Sequence, residues 1–261
     1  MNAEMISTFH RMKRDLDAAA RIQRSLLPAA SPVIEGARVA WDVIPCEELA
    51  GDSLNFIRLD DHRLGVYILD VSGHGLEAAL LAVTLHRVLA ALTGVPSMLA
   101  RNGCPIMSPV DLCTELNRIF PMNGESTQYF TLLYGILDTR KRIFRYVAAG
   151  HHAPIYRSPD GAAFEHSSPG FPIGICENAG YEETVIEMEP GARLYLYSDG
   201  LIDASCCYEG PFGKARLMQV IASSSDRSLE QSVTNVIERV RDWSSTARLE
   251  DDASLLAIEL G

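Results

Sequence analysis

Two features of the sequence predict an α+β fold of antiparallel sheets with helices packed outside them, preceded by a helical extension. The first is a series of β-rich or alternating runs at 37–44, 63–69, 129–137, 142–148, 184–188, 193–197 and 254–259. Several follow one another with no helix between, which excludes a regular β-α-β array. The second is a set of helical runs at 77–92, 109–119, 214–222 and 228–243 that fall between those groups of strands. The extension comes first in the chain. Met5, Phe9, Met12, Leu16, Ala19, Ile22 and Leu26 recur at steps of three or four until Pro28, so 1–28 reads as an amphipathic helix and 29–261 as one larger domain. Its apolar stripe needs a partner, either its own domain or a second copy in a signalling coiled coil, and so short a run does not choose between them. The stretch 94–108, with Pro96, Gly103 and Pro105, is long for a link between helices and reads as a surface excursion.

Composition narrows the function classes. With 47% hydrophobic and 22% charged residues the chain is neither disordered nor fibrous. A formal net charge of −11 argues against a nucleic-acid partner, which would need a basic stripe. The six cysteines, Cys46, Cys104, Cys113, Cys176, Cys206 and Cys207, form no C-x-x-C pair and suit reduced thiols in a cytoplasmic protein. The start lacks the basic and apolar regions of a secretory signal, and His86 and Arg87 break the most apolar stretch, so no membrane span is expected.

The chemistry lies in four acidic positions, each at the end of an apolar run or beside a glycine. They are Asp52 in Glu48-Leu49-Ala50-Gly51-Asp52, Asp70 in Asp70-Val71-Ser72-Gly73-His74-Gly75, Asp199 in Tyr197-Ser198-Asp199-Gly200, and Asp251 in Asp251-Asp252-Ala253-Ser254. Taken singly, each is ordinary turn chemistry. Together they suggest a different role, because several half-buried carboxylates meeting in one place repel each other unless hard cations neutralise them. Two Mg²⁺ or Mn²⁺ ions about 4 Å apart can activate water for in-line attack on phosphorus while neutralising the phosphoryl oxygens. Phosphate-ester hydrolysis is the reaction that such a site would serve.

These motifs, in this order, resemble the type-2C (PPM) metal-dependent serine/threonine protein phosphatases, in the bacterial branch typified by the sporulation phosphatase SpoIIE. The resemblance runs from 20 to 260 and includes Ile22-Gln23-Arg24-Ser25-Leu26-Leu27-Pro28, Ala149-Gly150-His151-His152-Ala153-Pro154, Gly170-Phe171-Pro172-Ile173-Gly174 and Tyr197 through Ala204. It implies two antiparallel sheets sandwiched between layers of helices. It also implies two ions, with Asp70 bridging them, the Val71 carbonyl completing one shell, Asp199 and Asp251 holding the second ion, and Asp52 with Glu48 orienting water. The implied substrate is a phosphorylated protein, by analogy a STAS-type anti-sigma-factor antagonist.

Two departures from the family pattern are visible. Ala50 stands where a glycine is usual and Asn55 where an aspartate is usual. They keep an alternative open, a catalytically weak module of the same fold that binds a regulator or partner protein. His74 reads either as a general acid to the leaving oxygen or as a turn histidine, and His151 and His152 as cleft or loop residues. Asp203 and Asp252 read as supporting carboxylates, and Gly73, Gly75 and Gly200 as sites of turning or of close backbone approach.

Overall fold

The computed structural model describes residues 3–31, 33–93, 106–122, 128–166, 170–244 and 248–261, so most of the predicted excursion at 94–108 lies outside the described residues. In chain order the elements are α1 (Ala3–Arg24), β1 (Ala37–Ile44), β2 (Ser53–Arg58), β3 (Arg63–Val71), α2 (Leu76–Leu92) and α3 (Pro109–Ile119). They continue with β4 (Phe130–Asp138), β5 (Ile143–Ala149), β6 (Ile155–Arg157), β7 (Ala163–Glu165), β8 (Thr184–Glu187) and β9 (Arg193–Tyr197). The last are α4 (Gly200–Asp203), β10 (Ser205–Cys206), β11 (Gly210–Pro211), α5 (Gly213–Ala222), α6 (Leu229–Trp243) and β12 (Ala253–Leu260). Two five-stranded antiparallel sheets result, ordered β1-β12-β9-β6-β7 and β2-β3-β4-β5-β8, with β10-β11 as a separate ribbon.

The two sheets pack face to face, and helices cover both outer faces. Side-chain alternation makes this possible. In β3, Leu64, Val66 and Ile68 enter the inter-sheet core with Leu194, Leu196, Leu256 and Ile258 of the facing sheet. The intervening Tyr67, Leu69 and Val71 meet Leu85 and Leu89 of α2 and Leu112 and Leu116 of α3. On the other side Tyr195, Leu255 and Ala257 pack under Leu217, Val233, Val236 and Val240 of α5 and α6. Both faces being covered, these strands read as nearly continuous apolar runs. The α+β sandwich agrees with the fold expected from sequence. The strand at 53–58 is not among those expected from sequence, since the run is split by Asn55 and follows directly on the Gly-Asp turn. Nor are β6 and β7, which are three residues each and too short to show a period.

Local signals explain the helix ends. Ser108 caps α3 by accepting from the Asp111 N–H, and Pro109 occupies its first turn. Ser228 and Gln231 close a capping box on α6. The two halves of α1 behave differently. Leu16, Ala19 and Ala20 pack on Leu49 and on Ala79 of α2. Met5, Phe9 and Met12 are about 60% exposed.

Candidate functional site

The four predicted aspartates come from the two sheets in pairs. Asp52 immediately precedes β2 and Asp70 is the penultimate residue of β3, both in one sheet; Asp199 follows β9 and Asp251 lies just before β12, both in the other. Each strand places its carboxylate at the same end of the sandwich. Asp70 continues the inward-facing series Leu64, Val66, Ile68, and Asp52 the series that runs through Leu54 and Phe56. The inter-sheet core thus ends, at this edge, in carboxylates.

Asp52 with Asp70, Asp70 with Asp199 and Asp251, and Asp251 with Asp199 lie close enough for their charges to act on one another. Burial, then the charges of Asp199, Asp251 and Asp252, push Asp70 up to about 8. Asp52 is 4% exposed and is held well above its ordinary range by burial, then by Asp70 and Asp252, against the lowering effect of the Ser198 hydroxyl. Asp199 is raised by burial and by Asp203, with His152 acting the other way. Asp251 is raised by burial and by Asp199 and Asp252, with His74 opposing. A cluster of this kind is short of positive charge. Its hard oxygen donors suit Mg²⁺ or Mn²⁺ and not a soft metal, so the residues fit the ions that the resemblance implies. The Val71 carbonyl lies at the same place, 3.3 Å from where a Cβ on Gly51 would stand.

Several residues besides the four aspartates hold this arrangement, Asp252 and Gly200 among them in the supporting roles expected from sequence. The Ser198 hydroxyl donates to Asp52 Oδ2 at 2.7 Å and accepts from the Ser254 N–H at 2.8 Å, tying a loop of one sheet to a loop of the other. Asp252 is buried and takes the backbone N–H of Cys46 at 2.8 Å and of Gly51 at 2.6 Å. It therefore anchors the Asp52 turn from 201 residues away. Cys46 was not singled out from sequence, yet one ligand atom each of Cys46, Asp251 and Asp252 lies within 4.8 Å of the others. Burial and Asp252 push the Cys46 thiol up to about 12, so it stays protonated. Gly200 is required by close approach, since a Cβ there would stand 2.0 Å from the Asp252 carbonyl oxygen. Gly73 and Gly75 instead serve the turn, with φ of 89° and 81°.

The histidines divide. His74 is exposed at the rim, its Nδ1 3.5 Å from a Glu47 carboxylate oxygen. His151 is buried between Thr131 and the Tyr197 carbonyl. His152 stacks on the Tyr197 ring at 5.3 Å. Asn55 turns its side-chain oxygen to the Phe56 N–H at 2.8 Å, and none of the carboxylate shifts involves it. Glu48 lines a cavity of about 240 Å³ together with Gln23, Leu27, Trp41, Asp52 and His86, between α1, β1 and α2. Gln23 spans that boundary, donating to the Ala50 carbonyl at 2.6 Å and accepting from the Ala50 N–H at 3.0 Å. The position that departs from the family glycine is therefore gripped through its backbone, where alanine serves as well.

Residues 60–261 match the family model for stage II sporulation protein E (SpoIIE). The chain belongs to the SpoIIE family, within the type-2C phosphatases. It is 30% identical over 201 residues to phosphoserine phosphatase RsbP of Bacillus subtilis (strain 168), an alignment covering 74% of this chain and 47% of that protein. It is 26% identical to phosphoserine phosphatase RsbU of the same organism, over 95% of this chain and 70% of that protein. This SpoIIE-family chain thus spans about half the length of one of these relatives and more than two thirds of the other. Among solved structures it is similar to the SiaA-PP2C domain of Pseudomonas aeruginosa, with a TM-score of 0.81 at 18% identity, covering 97% of this chain and 99% of that one. Among the described residues no helix is long and apolar enough to cross a membrane.

Proposed function

We propose that this chain is a cytoplasmic protein serine/threonine phosphatase that removes phosphate from a regulatory phosphoprotein, with two Mn²⁺ or Mg²⁺ ions held by Asp52, Asp70, the Val71 carbonyl, Asp199 and Asp251. The observation that carries this reading is the place of Asp70 at the end of β3, facing three aspartates of the opposite sheet whose charges act on it. When bound, divalent ions supply Lewis acidity and a nucleophile usable near neutral pH. The chain's own residues do the rest. Asp70 stands where both groups of ligands meet, and the repulsion it feels from Asp199 and Asp251 is what a bound cation would relieve. Asp52 is fixed by the Ser198 hydroxyl, so it presents one defined oxygen and orients water toward the phosphorus. His74, exposed at the rim with Nδ1 turned to Glu47, has Nε2 available to protonate the departing serine or threonine oxygen.

The printed activity of RsbP and RsbU, phosphoserine phosphatase, supports a phosphoserine substrate here. The partner that fits the resemblance is a STAS-type anti-sigma-factor antagonist phosphorylated on serine. The exposed stripe of Met5, Ile6, Phe9 and Met12 supports pairing of α1 with a second copy. Light scattering with and without residues 1–28 tests that pairing, and a monomeric mass for both forms removes it.

The catalytic test is Mn²⁺-dependent release of phosphate from a serine-phosphorylated STAS protein, compared with Asp70→Asn. Loss of the carboxylate that would be shared by both ions should remove several kcal/mol of transition-state stabilisation, so a fall of roughly a thousandfold is expected. Equal rates for the two proteins would overturn the proposal in favour of a binding module. Cleavage of a nucleotide phosphate with the phosphoprotein left intact would overturn the substrate.

A further inference from the structure

We infer that His151 is a positioning residue for the metal site, a rigid clamp that sets the spacing between the carboxylates of one sheet and those of the other. The inference rests on the metal-site reading above and adds to it a residue that touches none of the ligands. His151 is 8% exposed, and both ring nitrogens are engaged. Nε2 donates to the Tyr197 carbonyl at 3.1 Å, so Nδ1 is the acceptor for the Thr131 hydroxyl at 2.7 Å. Burial holds the imidazole down to about 3, so the ring stays neutral and keeps one donor and one acceptor through the working pH range.

The positions of the two partners make this more than a satisfied core histidine. Thr131 lies in β4 directly opposite Asp70 of β3. Tyr197 ends β9, two residues before Asp199, and pairs across to Leu255 of β12, four residues beyond Asp251. The single ring therefore links the strand pair that carries Asp70 to the strand pair that carries Asp199 and Asp251, at the level of the site. On the side of β6 the strand begins only at Ile155, which faces Tyr195, so the Tyr197 carbonyl lies beyond the end of that pairing. The His151 ring takes the place of a missing strand partner. Two cations of fixed separation require ligands of fixed separation, and a flat, two-ended ring between hydrogen-bond partners has little freedom to let the sheets slide.

The test uses the full chain and reads metal binding separately from turnover. Thr131→Val removes the hydroxyl at nearly constant shape, Thr131→Ser keeps it, and His151→Gln removes the ring. For each, the Mn²⁺ concentration giving half of the maximal thermal shift is measured beside the metal-free Tm, with phosphoprotein hydrolysis titrated against Mn²⁺. Expected for Thr131→Val and His151→Gln is a rise of about tenfold in half-saturating Mn²⁺, the lower end of what loss of a ligand-supporting group produces. Thr131→Ser should retain the wild-type value. Valine and glutamine variants that fold and bind Mn²⁺ as the wild type does would overturn the clamp alone. An equal loss in valine and serine variants would assign the effect to packing and also overturn it. A wild-type protein with no Mn²⁺-induced shift would sink the metal site itself.

Discussion

The middle of the inter-sheet interface and its end are built by the same strands with the same alternation, yet they work in opposite directions. In the middle, the inward positions are Leu54, Val66, Ile68, Leu196, Leu256 and Ile258, all buried and apolar. Two residues further along the same faces stand Asp52, Asp70 and Ser198, and four residues before Leu256 stands Asp252. The middle lowers the free energy of the folded chain by removing apolar area from water. The end raises it, since four carboxylates gathered there are pushed toward their protonated forms by burial and by each other. The site is thus an unstable margin held by a stable core, and a pair of divalent cations would convert its cost into binding energy.

The sharpest way to break this comparison is to damage the middle. Leu256→Ala opens a cavity in a fully buried position and should cost about 2–5 kcal/mol in chemical denaturation, while half-saturating Mn²⁺ stays close to the wild-type value. A large change in metal dependence would show that the two regions are not separable.

The opposite change, at the end, should stabilise the metal-free protein. Asp70 takes up protons more readily when folded than when unfolded, since it is raised from 3.8 to about 8. Its favourable contribution is therefore complete below about pH 4 and is lost as pH rises through about 8. In chelator, wild-type Tm should fall across that window, and the Mn²⁺-induced gain should grow across it as protons cease to compete. Asp70→Asn should flatten the slope and raise metal-free stability near pH 8 by on the order of 1–3 kcal/mol. A metal-free Tm that rises with pH in both proteins would contradict this.

The smallest effect is expected at the boundary with α1. Gln23→Ala removes two hydrogen bonds to the Ala50 backbone, worth about 0.5–1.5 kcal/mol each in net terms. Faster amide exchange at Ala50 and Gly51 with a fall of only a few degrees in Tm is the expected outcome. Unchanged exchange at those amides would mean that α1 does not restrain the Asp52 turn.

Much of this was legible in one dimension. The longer strands and helices carried their own periodicity, and the four aspartates were picked out by lying at the end of an apolar run or beside a glycine. The short strands β6 and β7 were not legible, because three residues contain no period and owe their conformation to the pairing of β6 with β9. The roles of Ser198, Cys46 and His151 were not legible for a related reason, although Ser198 and His151 lie in motifs that the sequence shows. Each matters through a partner far away in sequence, Asp52, Asp252 and the Thr131–Tyr197 pair respectively. A local motif can mark such a residue but does not name its distant partner.

Periodicity and turn chemistry determined the α+β class because they are local properties of the chain, and the order of its motifs carried the resemblance to the family and the candidate carboxylates. Tertiary structure alone decided that Asp52 and Asp70 face Asp199 and Asp251 across a gap between two sheets, that Asp252 holds the Asp52 turn, and that only half of α1 is docked. Those outcomes depend on burial and on charges brought together from distant parts of the chain, and both come into being only when the sheets meet.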